Sequence, residues 1–142
     1  MGVLEMVSGL EATADAIMWF EGAPGWKPFT ATGTPVRSYT NRNPGNLRLE
    51  GRTADDRGYT IFPDLPTGYA ALLRELQSKF SGNNSHGIGP SSTVLELFDI
   101  YAPPSDDNPT NAYAGFVADW VGRVLGKSIT VNSPLSDIWT AS

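Results

Sequence analysis

The sequence contains no cysteine and a single histidine, His86. The first absence removes thiol nucleophiles, Cys-ligated zinc, iron–sulfur clusters and any disulfide framework, and it leaves the redox compartment unreadable. The second excludes an HExxH zinc site and every centre that needs two imidazoles. Charge is sparse as well: 18% of 142 residues, with ten Lys and Arg against fifteen Asp and Glu and a net charge of −5. That balance argues against affinity built mainly on neutralising phosphates, so no nucleic-acid partner is expected. No stretch reaches 18 apolar residues, so no membrane insertion is expected. The start, MGVLEMVSGLEA, has neither the basic region nor the cleavage site of a signal peptide, and Met6 stands where a myristoylation signal has Ser or Thr.

What is present fits one globular domain over residues 1–142, with 40% apolar and 11% aromatic residues. The charges are uneven. Residues 1–25 carry Glu5, Glu11, Asp15 and Glu21 without a Lys or Arg, whereas residues 26–57 carry Lys27, Arg37, Arg42, Arg48, Arg52 and Arg57 against Glu50, Asp55 and Asp56. The acidic total hides a basic middle.

Apolar spacing predicts a first helix over 4–21 through Leu4, Val7, Leu10, Ala14, Ile17 and Met18, thickened by Trp19 and Phe20. Ser8 and Glu11 have capping-box spacing, so the helix can instead begin at Ser8, with Val7 as staple. Gly22, Pro24 and Gly25 end it. From Gly22 to Pro66 the chain is rich in Gly, Pro, Thr, Asn and Arg, and only 47–50 and 59–62 alternate, which predicts a short irregular hairpin. Thr67 is expected to cap a helix over 68–80, with Ala70, Leu73, Leu76 or Gln77, and Phe80 on one face. Thr93 and Glu96 form a second capping box for a helix through Tyr101. Thr110 is expected to cap a longer helix with Tyr113, Phe116, Val117, Trp120, Val121 and Val124 buried, closed by Gly126. Pro134 opens a last short helix near 134–140. The class expected from these elements is α+β, mainly α, with a small β-hairpin after the first helix.

Two features carry chemistry. Glu21 sits at the predicted C-terminal end of a helix, behind Ile17–Phe20 and before Trp26. The macrodipole and the apolar neighbours both disfavour an anion there, which favours the protonated carboxyl that a general acid requires. Position alone also fits an exposed glutamate that merely ends a helix. The second feature is Tyr39–Arg48, YTNRNPGNLR, in which Pro44-Gly45 fit the centre of a type II turn flanked by Asn43 and Asn46. Its amides and guanidiniums offer donors to an oxygen-rich ligand such as an acetamido sugar, although Asn residues in turns commonly satisfy their own backbone. His86 reads as a loop residue, and Asp106-Asp107-Asn108 lacks the pattern of a calcium loop.

In order, AIMWFEG, SYTNRNPGNLR, GYTIFPDLPTGYAALLREL and STVLELFDIYAPPSDDNPTNAYAGFV resemble a family of phage and prophage virion proteins, with some secreted bacterial relatives, related to lytic transglycosylases. These landmarks span about residues 14–125. The resemblance implies a lysozyme-like fold and cleavage of the β-1,4 bond between N-acetylmuramic acid and N-acetylglucosamine. It implies Glu21 as the catalytic glutamate and Asn43, Asn46 and Arg48 as the turn lining the cleft, with Tyr39 and Tyr59 as nearby aromatics. Tyr101 and Tyr113 match the aromatic before "APP" and the tyrosine after it, in cleft or core. Thr40-Asn41-Arg42 departs from the run of asparagines found in many relatives.

The implied partners are peptidoglycan glycan strands and other virion or tail proteins. Neither metal nor cofactor is implied, and the isolated domain is expected to be a monomer acting from a virion or at the bacterial periplasm and wall. The absences agree, since Cys/His endopeptidases and zinc amidases need residues this chain lacks. Glycosidases usually pair two carboxylates. Here Thr30 stands where a phage-lysozyme pattern has Asp, and Asp55, Asp56 and Asp64 lie farther off, which favours a transglycosylase route with Glu21 alone. The alternative is a non-catalytic virion or glycan-binding protein.

Overall fold

The computed structural model describes residues 8–22, 25–104 and 109–139. The stretch from Leu4 to the Val7 staple, Pro24, the Asp106-Asp107-Asn108 turn and the end of the 134–140 helix lie outside the described residues. Among those described, five α-helices follow in order: α1 (Gly9–Glu21), α2 (Arg37–Thr40), α3 (Leu65–Ser81), α4 (Val94–Tyr101) and α5 (Thr110–Leu125). A 3-10 turn over Leu135–Asp137 stands where the last helix was expected.

Two compact units divide the chain, one of Ile17–Arg74 and one of residues up to Ala16 together with those from Glu75 onward. In the latter, helix ends are set by local chemistry. Ser8 and Glu11 form a reciprocal box, with the Glu11 amide donating to Ser8 Oγ at 3.0 Å and the Ser8 amide to Glu11 Oε1 at 3.4 Å. Thr93 and Glu96 repeat it at α4, and Gly126 in the left-handed conformation closes α5. These ends are where capping residues and glycine predict them.

The buried face of α1 differs from the expected one. Gly9, Ala12, Thr13 and Ala16 are buried while Leu10 and Met18 are half-buried and Trp19 is exposed. Small residues take the inner face because the chain comes very close: a Cβ at Gly9 would lie 1.8 Å from the Ile138 carbonyl oxygen. On α5, Tyr113, Ala114, Val117, Ala118, Val121 and Gly122 are buried, whereas Phe116 and Trp120 pack on each other, half-buried, and Val124 is 47% exposed. Phe98 of α4 meets Tyr113 at 4.8 Å between ring centroids, and the segment 131–135 hydrogen-bonds across the start of α4.

Ile17–Arg74 is built differently. Its buried apolar side chains are few, Ile17, Val36, Leu47, Phe62, Ala71 and Leu72, and beside them Ser38, Asn41, Asn43 and Thr60 are buried too. The expected hairpin does not form: among the described residues there is no strand, and the region holds isolated bridges at Phe29 with Pro35 and Ala54 with Thr60. The α+β assignment with a small hairpin, and the small sheet that came with it, are therefore replaced by a mainly helical fold. Side chains explain the difference. Asn43 Nδ2 donates to the carbonyls of Leu47 and Thr60, both at 2.9 Å, and Asn43 Oδ1 accepts from the Leu47 amide at 2.9 Å. The Leu49 amide donates to Thr60 Oγ1 at 2.8 Å. One backbone bond joins the two segments, the Thr60 amide donating to the Leu47 carbonyl at 2.9 Å, and the Thr60 carbonyl and the Leu47 and Leu49 amides are taken by polar side chains instead.

Helix α3 starts three residues earlier than expected. Asp64 Oδ1, not Thr67, is the cap: it accepts from the Thr67 amide at 2.8 Å. Pro66 then falls in the first turn, where a missing N–H costs nothing. Gly68 on this helix is buried, and a Cβ there would lie 2.0 Å from the Arg42 carbonyl oxygen. Gly68→Ala is expected to cost about 3 kcal/mol, read as a fall in the urea midpoint, because a backbone atom must move. An unchanged midpoint would contradict this close approach.

Candidate functional site

Glu21 closes α1 and is half-buried. The chain around it is pinned by two contacts. Ser38 Oγ, on α2, donates to the Glu21 carbonyl at 3.0 Å. Trp26 lies against Gly22, where a Cβ would come 2.6 Å from the Trp26 Cα. Trp26 itself has φ 58°, an uncommon conformation for a bulky residue, held by the Lys27 amide donating to the Gly22 carbonyl at 2.9 Å. Glu21 is thus fixed at a helix end where the peptide dipoles disfavour a carboxylate.

From Ser38 the backbone leads to Tyr39, 37% exposed, whose ring meets Trp26 at 5.2 Å. Both line a groove of about 670 Å³ whose walls include Phe29, Pro28, Pro35 and Pro63, with Arg42 and Asp64 as its charged members. Sequence reasoning missed Phe29 altogether, and it named Trp26 only as a neighbour of Glu21 and Arg42 only as a guanidinium of the turn. The signal available was the density of Pro and aromatic residues between Trp26 and Pro35; the positive φ of Trp26 and of Arg42 has no sequence mark.

The turn after α2 is not the type II turn expected. The Asn46 amide donates to the Asn43 carbonyl at 2.9 Å, but Gly45 does not take the positive φ of type II; Asn46 does, at 50°. Asn43 is 0% exposed and its carboxamide makes three hydrogen bonds to backbone. It is the pin of the turn, with no polar atom left over for a ligand. Asn46 differs: its Oδ1 is buried and accepts no hydrogen bond among the described residues. A buried acceptor without a donor is uncommon and costs stability.

Arg48 lies over the Tyr59 ring at 4.2 Å and donates to its hydroxyl at 2.8 Å. Arg37 approaches the same ring at 5.9 Å and pairs with Asp55 at 2.6 Å and Asp56 at 2.8 Å. Asp55 is the hub. Besides Arg37, it accepts from Asn41 Nδ2 at 2.8 Å and from the amides of Arg57 and Tyr59 at 2.9 and 3.0 Å. Burial pushes its carboxyl up, but the hydrogen bonds from Arg37, Asn41 and the two amides together outweigh that and hold it well below the usual carboxylate range.

A carboxyl lowered on folding adds stability above its ordinary titration range and loses it as pH falls toward the folded value. Asp64, lowered by the Thr67 hydroxyl and amide, acts with the same sign. The melting temperature is therefore expected to drop on acidification below about pH 4. Asp55→Asn should melt lower at pH 7 and show a shallower acid limb; an acid limb identical to that of the wild type would remove Asp55 from this role.

Tyr101 and Tyr113 belong to the other compact unit. Tyr113 is 1% exposed and core, packed between Phe98 and Tyr101, and Tyr101 is half-buried at the end of α4. The candidate residues Glu21, Tyr39, Asn43, Asn46, Arg48 and Tyr59 all fall in Ile17–Arg74. That segment carries seven of the ten Lys and Arg but five of the fifteen Asp and Glu, so the basic middle of the sequence is a structural unit.

Comparisons with protein-family models, curated proteins and solved structures find no match. Function must therefore be argued from the site. Among the described residues no group of three His, Asp or Glu could hold a metal ion, and no helix is long and apolar enough to cross a membrane. Of the other carboxylates in Ile17–Arg74, Asp55 spends both oxygens on four donors, Asp56 pairs with Arg37 in solvent, Asp64 caps α3 through one oxygen, and Glu50 is exposed.

Proposed function

We propose that the protein is a peptidoglycan-cleaving muramidase of the lytic transglycosylase type, with Glu21 as its acid and base. The observation that carries this reading is the position of Glu21 at the end of α1, where Ser38 holds its main-chain carbonyl next to the residues that line an aromatic groove. The order of the motifs around Glu21 and the turn at Asn43–Arg48 supports it. The neutral Glu21 carboxyl gives its proton to the glycosidic oxygen as the bond to the muramoyl C1 breaks, freeing the N-acetylglucosamine 4-hydroxyl. The resulting carboxylate takes the proton of the muramoyl 6-hydroxyl as that oxygen closes on C1. Glu21 is restored, no water is consumed, and the product is a 1,6-anhydro end.

The same reading makes the protein a virion-associated factor acting at the bacterial wall. The Arg48–Tyr59 pair and Tyr39 offer a cationic edge and aromatic faces to sugar rings, beside the turn that carries Asn46. Titration with chitotetraose, followed by amide chemical shifts, is expected to move Tyr39, Asn46 and Arg48 first. Shifts confined to α4 and α5 would contradict this placement. Dye release from labelled peptidoglycan by the wild type tests the activity itself.

A further inference from the structure

The groove beside the end of α1 has chemistry that a neutral glycan does not call for. Trp26, Phe29, Tyr39 and Pro63 give it rigid apolar walls, and Arg42 and Asp64 give it one charge of each sign. Arg42 is set for presentation: its backbone is left-handed at φ 52°, and its Nε donates to the Phe62 carbonyl at 2.8 Å. That bond fixes the stem of the guanidinium and leaves both Nη atoms without a partner among the described residues. Asp64 is arranged alike. Its Oδ1 accepts from the Thr67 amide and hydroxyl at 2.8 and 2.6 Å, while its Oδ2 accepts no hydrogen bond among the described residues. The two side chains attract each other, since the Arg42 charge helps to lower the Asp64 carboxyl, but they are not joined by a direct ion pair, so the groove shows an anchored cation and an anchored anion at once. The Thr67 hydrogen bonds keep the Asp64 carboxyl below its usual range, hence ionised at neutral pH.

We propose that this groove binds the stem peptide of peptidoglycan, a short peptide bearing free carboxylates and an ammonium group, with Arg42 taking a carboxylate and Asp64 the ammonium. The inference rests on the muramidase reading for the identity of the peptide. Its physical basis is charge complementarity. A guanidinium edge takes a carboxylate through two parallel N–H donors, and a carboxylate oxygen takes an ammonium donor. Alanine methyls of the peptide lie on the proline and aromatic walls, which lose little freedom on binding because they have few rotatable bonds. The groove is of a size that holds such a ligand. Glu21 is not among its lining residues, so the groove anchors substrate beside the reacting bond and takes no part in bond breaking.

Calorimetric titration of the full chain with a stem tripeptide that ends in a diamino acid, and separately with chitotetraose, tests this. The wild type is expected to bind both. Arg42→Gln should weaken the tripeptide by about tenfold or more and leave chitotetraose within about twofold. Asp64→Asn, which keeps an oxygen to cap α3, should weaken the tripeptide and melt somewhat lower at pH 7 but stay folded. Failure of the wild type to bind the tripeptide at millimolar concentration, or equal binding by the wild type and Arg42→Gln, overturns the proposal. Cleavage of peptidoglycan by the wild type is scored in parallel. Cleavage without tripeptide binding removes the groove assignment alone; tripeptide binding without cleavage removes the muramidase reading and keeps the groove.

Discussion

Glu21→Gln is expected to release dye from labelled peptidoglycan about a thousandfold more slowly than the wild type, because an amide cannot donate the proton that the leaving sugar oxygen needs. Its melting temperature should change little. The side chain is half-buried at the end of α1, the replacement has the same shape, and the contact that pins this end is made by the Glu21 carbonyl with Ser38, which the substitution leaves in place. Substitutions of this kind usually fall within about 0.5 kcal/mol. The two readouts separate two roles. Lost cleavage with an unchanged melt assigns Glu21 to the chemistry, whereas a marked fall in stability would return it to being a glutamate that closes a helix. Retained cleavage would reject it as the acid.

Asn43→Ala is expected to give the largest effect on stability. It strips a donor from the Leu47 and Thr60 carbonyls and an acceptor from the Leu47 amide, all at 2.9 Å around a fully buried side chain. The Leu47 carbonyl keeps the Thr60 amide as a donor, so two backbone groups are left unsatisfied, the Thr60 carbonyl and the Leu47 amide, and at about 1–3 kcal/mol each the sum is about 3 kcal/mol. In a chain of this size that lowers the melting temperature by roughly 10 °C. Asn43→Asp keeps the acceptor for Leu47 but loses both donors, and should fall nearly as far. Any loss of chitotetraose binding should track the loss of fold in both variants. A stable Asn43→Ala protein that had lost only binding would mean that Asn43 meets the ligand after all.

Local chemistry made the helix ends legible from sequence. The boxes Ser8–Glu11 and Thr93–Glu96 and the Gly126 stop act within one turn of chain, and spacing alone locates them. The start of α3 was misplaced because two capping residues compete three positions apart, and Asp64 wins with Pro66 set into the first turn. The alternation at 47–50 and 59–62 suggested a ladder, but the outcome depends on Asn43 and Thr60, whose side chains reach across the loop to take the backbone groups. Hydrophobic periodicity carries no trace of such a competition. On α1 and α5 the rule that large residues face inward failed where Gly9, Ala12, Ala114 and Ala118 allow close approach and leave Trp19 and Val124 outside.

For the site, the residue types that do acid chemistry and bind sugars could be named in advance, and Glu21, Tyr39, Asn46, Arg48 and Tyr59 lie in one compact unit. Asn43 was named with them for its chemistry, yet its burial makes it structural. Trp26 reads from sequence only as an apolar neighbour of Glu21, and Arg42 only as one guanidinium of the turn, because what places them at the groove is left-handed backbone on residues that rarely adopt it. Arg37 and Asp55 read from sequence as charges that offset each other; in three dimensions they tie α2 to the 53–60 loop and so hold Tyr59 for Arg48.

The central claim is that one carboxyl, Glu21, cleaves the glycan without a second acid and without water. Mass spectrometry of the fragments released from purified peptidoglycan, by wild type and Glu21→Gln side by side, tests it most directly. Muropeptides ending in 1,6-anhydro-muramic acid are expected from the wild type and none above background from the variant. Fragments with reducing-end muramic acid and no anhydro product would contradict it, as would the same fragments from both proteins.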